Sequence, residues 1–275
     1  IDTAQDSFKM VDAFEGIRRE TGSIDFARGA IDTVAVAARG AHKELGTMSG
    51  VAGTLNEKFG ITAAELPDAL ADVVGLSEKG GVSFEDMADK LGLIGAYAKE
   101  AGLSGRAGFQ QMVGMLNLAD NANGSFKKGI TGVGGLLEQL GNNVGKAKIG
   151  AALGISTKDL SGNVESQIGA IMKATKGQKA GLEKAFGGEQ LKLLVDLGKT
   201  YGASFESTKG DVKTKQAAAL EALRASFTEA GKSTVSFADI QTEAAAEMAA
   251  APQKIALAKE KLLQAFSSDK MQAAI

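Results

Sequence analysis

Apolar residues three and four apart recur along most of this chain, which is the spacing of a buried helix face. Phe8, Val11, Phe14 and Ile17 form the first such stripe, and Gly22 follows as a stop. Ser23 or Asp25 is placed to cap a second helix that carries Ile31, Val34 and Ala38 and ends near Gly40. Gly46, Gly50 and Gly53 then punctuate the chain ahead of Leu55 and Phe59. Thr62 and Glu65 have capping-box spacing before a face of Leu66, Leu70, Val73 and Val74, which Gly80-Gly81 breaks. Ser83-Phe84-Glu85-Asp86 opens the next helix, with Met87, Leu91 and Ile94 on one side. Gly102-Leu103-Ser104 resets the chain, and Phe109, Met112, Val113 and Leu116 make a further stripe. Asp120 to Gly124 reads as a turn, followed by Leu136, Leu137 and Leu140. Beyond Gly154-Ile155 and a polar turn at Asp159 to Asn163 come Ile168, Ile171 and Met172. Leu182 to Phe186 and then Leu191, Leu194, Val195 and Leu197 complete this part.

The texture changes from about Lys209, where Gly becomes rare and Ala, Lys and Glu dominate. Leu220, Leu223 and Phe227 form one seam, and Ile255, Ala258, Leu262 and Phe266 repeat it. A break is expected near Gly231 and a bend or restart near Pro252. No sustained alternation of β-branched and aromatic residues occurs, so the expected fold class is all-α. Three zones follow: N-terminal helices over 1–60, a compact Gly-punctuated helical module over 61–208, and extended amphipathic helices over 209–275. The last zone is expected to reach away from the module.

Composition sharpens this picture. The 36 Gly among 275 residues are about 13% of the chain, against a usual share of about 7%. Each Gly inside a helix costs roughly 0.5–1 kcal/mol relative to Ala, so their number has to be explained. With only two Pro, Pro67 and Pro252, Gly is expected to supply nearly all the helix stops. Aromatics are 5% and Trp is absent, so Phe residues from Phe8 to Phe266 are the expected anchors of a core otherwise rich in Ala. Such thin packing makes partner subunits an expected source of stability. A net charge of −2 gives no global field for nucleic acid, and zero Cys excludes disulfides and thiolate chemistry. No signal peptide and no apolar run of about 18 residues is visible. The chain starts at Ile1 and ends within a helical pattern, as expected of a piece of a longer polypeptide.

Candidate chemistry is sparse, and no catalytic, cofactor-binding or metal-binding residue is assigned. His42 is the sole histidine and lies in no HExxH motif, so a structural or surface role is expected. Gly141 to Ala147 is one residue short of a phosphate loop and has Ala147 where the magnesium-binding hydroxyl belongs. Gly132 to Leu137 lacks the third Gly of a dinucleotide fingerprint. Both read better as helix ends or close helix crossings. Asp120 to Gly124 has Ala122 at the third position of a calcium loop and no Glu at the twelfth. Glu85/Asp86 and Asp2/Asp6 sit at helix starts, where they complement the dipole. Lys127-Lys128, Lys146/Lys148 and Lys173/Lys176/Lys179 have no interleaved aromatics and read as a solvated face.

Several of these elements, in their order, resemble a known family. Leu66-Pro67-Asp68-Ala69-Leu70, Val82 to Ala88, and Ala101 to Gly105 leading into Gln110-Gln111-Met112-Val113 resemble the core region of phage tail tape-measure proteins. Leu153-Gly154-Ile155, Lys158 to Asn163, Ile168 to Ile171 and Phe186-Gly187-Gly188-Glu189-Gln190-Leu191 extend the resemblance, which spans roughly residues 60–200. It implies a non-enzymatic structural segment that acts in tail assembly, tail-length determination inside the tail tube, and genome ejection. The implied partners are copies of itself, tail tube and tail tip or hub proteins, and tail assembly chaperones. The implied location is the virion, after assembly in the host bacterial cytoplasm. Family members are generally much longer and often carry membrane-crossing apolar segments, which this chain lacks. Two other readings stand beside it: a membrane-active helical effector, and a peptidoglycan-cleaving module for which no catalytic Glu is identifiable.

Overall fold

The computed structural model describes residues 3–233 and 235–249. Helix makes up 80% of the described residues and no strand occurs among them, so the fold is all-α. In chain order the helices are α1 (Thr3–Thr21), α2 (Ile24–Gly40), α3 (Leu45–Thr54), α4 (Leu66–Gly80), α5 (Phe84–Glu100) and α6 (Gly105–Asn123). They continue as α7 (Phe126–Gly141), α8 (Asn143–Leu153), α9 (Val164–Thr175), α10 (Lys179–Leu182), α11 (Gly188–Ser207), α12 (Val212–Ala230) and α13 over 237–249. A π-helical turn, Leu55–Phe59, prolongs α3 and buries both of its end residues.

Local chemistry explains most of the boundaries. Ser23 accepts a hydrogen bond from the Phe26 N–H at 3.1 Å, and Ser83 one from Asp86 at 3.0 Å, so both are N-caps. Asn163 and Asp211 cap α9 and α12 in the same way. Thr62 and Glu65 form the reciprocal bonds of a capping box just ahead of α4. Gly81, at φ +59°, closes α4 in the left-handed conformation that a side chain resists.

α6 lies at the centre, against α4, α7, α11 and α12. α7 packs in turn on α5, α8 and α11, while α1, α2 and α3 form a layer joined through α2 and α3 to α4 and α5. One continuous cluster of buried apolar residues runs from Ile17 to Ile240. Phe59 and Phe109 meet edge-on inside it, with ring centroids 5.2 Å apart.

Four expectations are corrected. Gly46, Gly50 and Gly53 do not interrupt the chain but lie inside α3. Asp120 to Asn123 is the last turn of α6, and the stop is Gly124. In α1 the buried positions are Ala13 and Ile17, four apart, while Val11 is 59% exposed; the side chain of Phe8 lies outside the described residues. The chain after 209 does not reach away from the module as far as it is described. Ala219, Leu223 and Phe227 are buried where α12 docks on α6, α9 and α11, and Ile240 of α13 seats against Gly40 of α2. Pro252 and the Ile255–Phe266 seam lie outside the described residues.

Candidate interaction site

Glycines of the two Gly-rich stretches, Gly132 to Leu137 and Gly141 to Ala147, lie at helix contacts. At Gly132 of α7 a Cβ would stand 2.9 Å from the Glu189 carbonyl oxygen, at the start of α11. A Cβ at Gly141 would come as close to Glu100 at the end of α5. Asn142 caps α8 by accepting from the Gly145 N–H at 2.7 Å, which uses the amide a phosphate loop would offer a ligand. The carboxyl end of α6 holds no cation loop either. Asn123 turns inward there and donates to the Ala119 carbonyl at 2.9 Å. Lys127, Lys128, Lys148, Lys173, Lys176 and Lys179 are exposed and Lys146 is half-buried, so most of the basic stretch is a solvated face. His42 is exposed between two carboxylates of α13, with Nε2 3.5 Å from Glu243 and Nδ1 3.7 Å from Glu247.

Among the polar contacts that join distant parts of the chain are three that no local pattern in the sequence marks. Asp72 of α4 is buried and pairs with the Arg106 guanidinium at the start of α6. Burial pushes the Asp72 carboxyl above the ordinary aspartate range, and the bond to Arg106 only partly offsets this. Glu165 of α9 accepts from Gln111 of α6 at 2.8 Å and from Arg224 of α12 at 3.1 Å, tying three helices together. Glu165 in turn raises the pKa of Arg224. Glu20 of α1 reaches over Gly53 to Thr54 of α3, and partial desolvation at that contact raises its carboxyl pKa.

Among the described residues no three metal-ligating side chains converge, and no helix is long and apolar enough to cross a membrane. What the surface does offer is a groove of about 530 Å³ between α5 and α7. Val82, Leu93, Ile94, Tyr97 and Ile130 supply its apolar lining, and Asp86, Lys90, Lys127 and Glu138 its charges. Leu93 is 52% exposed, unusual for a leucine beside a concave apolar surface. The arrangement suits helix docking.

The family model for phage-related minor tail proteins matches residues 3–223, from the first described helix to the middle of α12. The chain belongs to that family. It is therefore a phage tail protein with a structural role, a component of the virion. The match takes in α1 and α2 as well as the 60–200 stretch, and the single apolar core joins the same helices. No curated protein and no solved structure matches the chain.

Proposed function

We propose that this tail protein is a structural segment of a tape-measure protein, working inside the tail tube in assembly, length determination and genome ejection. Its own share is contact: it folds as a compact module and holds copies of the chain and tail tube, tip or hub proteins together, without catalysing a reaction. The observation that carries this is the extent of the minor-tail match, 3–223, over a glycine-spaced helical core. The tape-measure reading adds the ordered elements Leu153-Gly154-Ile155, Asp159 to Asn163 and Phe186-Gly187-Gly188.

The fold refines how such a segment contributes to length. As one continuous helix, at ~1.5 Å per residue, the matched region would span roughly 330 Å. Folded as a globule of that size it is roughly 45 Å across. A segment with a continuous core acts as a fixed-size body and leaves linear measurement to other parts of the polypeptide. Immunogold labelling of purified particles tests the placement. Label along or at one end of the tail, reached only after the tube is opened, is the expected result. Label confined to the capsid, or none in particles, contradicts it.

The membrane-active alternative is tested by vesicle leakage, where the folded chain should leave liposomes sealed. Cell-wall digestion in a turnover assay would instead favour the peptidoglycan-cleaving module.

A further inference from the structure

We propose that the groove between α5 and α7 is a two-fold contact between two copies of this chain; this rests on the self-association included in the function above. α5 and α7 run in the same direction. Phe126, at the start of α7, meets Gly80 just before α5; a Cβ at Gly134 would lie 4.0 Å from Ile94 and Tyr97, and Gly141 reaches Glu100. The groove therefore has two distinct ends. Lys127 marks one end, with Asp86 and Lys90 nearby, and Glu138 marks the other. Among the described residues none of these four side chains forms an ion pair within the chain.

One end thus carries a net positive charge and the other a negative one. A two-fold axis through the middle of α7 lays a second α7 antiparallel across the first. It brings Lys127 of each copy over Glu138 of the other, about 16 Å apart along the helix. Ile94 and Tyr97 stand beside Gly134, so Leu93 is level with the middle of α7 and the same operation brings the two Leu93 side chains together over the apolar lining. An exposed leucine at that level is covered when the surface meets its own copy. A partner helix of uniform charge would face repulsion at one end of the groove.

Sedimentation equilibrium of the full chain tests this, with far-UV circular dichroism as the folding control. The wild type should dimerise, and Leu93→Glu should weaken the dimer about a hundredfold by placing a charge at the centre of the contact. Lys127→Glu and Glu138→Lys should each weaken it about tenfold, since each sets like charges opposite one another twice per dimer. The double variant Lys127→Glu/Glu138→Lys should return to within about threefold of wild type. If Leu93→Glu unfolds, the exposed charge variants decide the matter.

A wild type that stays monomeric overturns the proposal, as does a double variant no stronger than the singles. A dimer indifferent to all four variants also overturns it, while leaving self-association through another face intact. A monomer whose binding to tail tube protein is lost with Leu93→Glu assigns the groove to a different occupant, and so overturns it too. None of these results alters the immunogold outcome by which the tail placement stands or falls.

Discussion

At the scale of single residues, glycine does two jobs that the sequence does not distinguish. A helix-ending glycine and a helix-crossing glycine look alike in the chain, because the neighbour that forbids a Cβ comes from far away. Gly114 of α6 faces the Phe227 carbonyl oxygen and the Gly231 amide of the α12 end, so a methyl group there collides with backbone. At Gly50 of α3 a methyl group would meet nothing within 4 Å. Gly114→Ala should therefore lower stability by about 1–3 kcal/mol despite its better helix propensity. Gly50→Ala should raise stability by roughly 0.5–1 kcal/mol. Urea unfolding of the two variants checks both signs.

Asp72 offers a second test at this scale. Burial raises its folded-state pKa above the unfolded value, so the folded protein holds this proton more tightly than the unfolded chain does. The stability it contributes is full below the unfolded pKa and is lost as pH rises through the raised value. Unfolding midpoints of wild type and Asp72→Asn, taken from about pH 4 to pH 7, should shift in the variant's favour as pH rises. A constant difference would mean that Asp72 titrates normally. Arg106→Met leaves a buried carboxylate without its partner and should cost about 2–3 kcal/mol at neutral pH, less at acid pH. Asp72 and Arg106 stand 34 positions apart, and nothing in either local pattern marks them as partners.

At the scale of elements the sequence was informative wherever capping chemistry and apolar spacing agreed. Ser23, Ser83, the Thr62/Glu65 box and Gly81 mark ends that local hydrogen bonding enforces. Spacing was less reliable where Ala carries the burial. In α12 the seam is Ala219, Leu223 and Phe227, while Leu220 sits 40% exposed beside Gly169 of α9. An alanine is a weak marker of a buried face, and so α12 read as a free amphipathic helix. Its docking is a tertiary event that depends on Gly114 and on the Gln111–Glu165–Arg224 bonds. Phe227→Ala should then cost about 3–5 kcal/mol and open α12 to proteolysis before the rest of the chain. A helix that merely projected into solvent would lose almost nothing.

At the scale of the whole molecule, the all-α class was legible because helical periodicity is dense and strand alternation is missing. Compactness through α13 was not, because it depends on which distant surfaces meet. The groove between α5 and α7 was equally hidden. Val82, Leu93 and Tyr97 lie on or just before α5 and Ile130 lies on α7, and only the parallel approach of the two helices gathers them. In solution residues 3–249 should scatter X-rays with a radius of gyration near that of a globule of that length, about 18 Å.

The most direct test of a fixed-size tail module is the length of tails in electron micrographs of a phage whose gene carries residues 3–223 twice in tandem. A second folded module should lengthen the tail by no more than roughly 45 Å. A gain of roughly 330 Å, the span of the same residues as one helix, would show that this segment measures as a rod and would contradict the account.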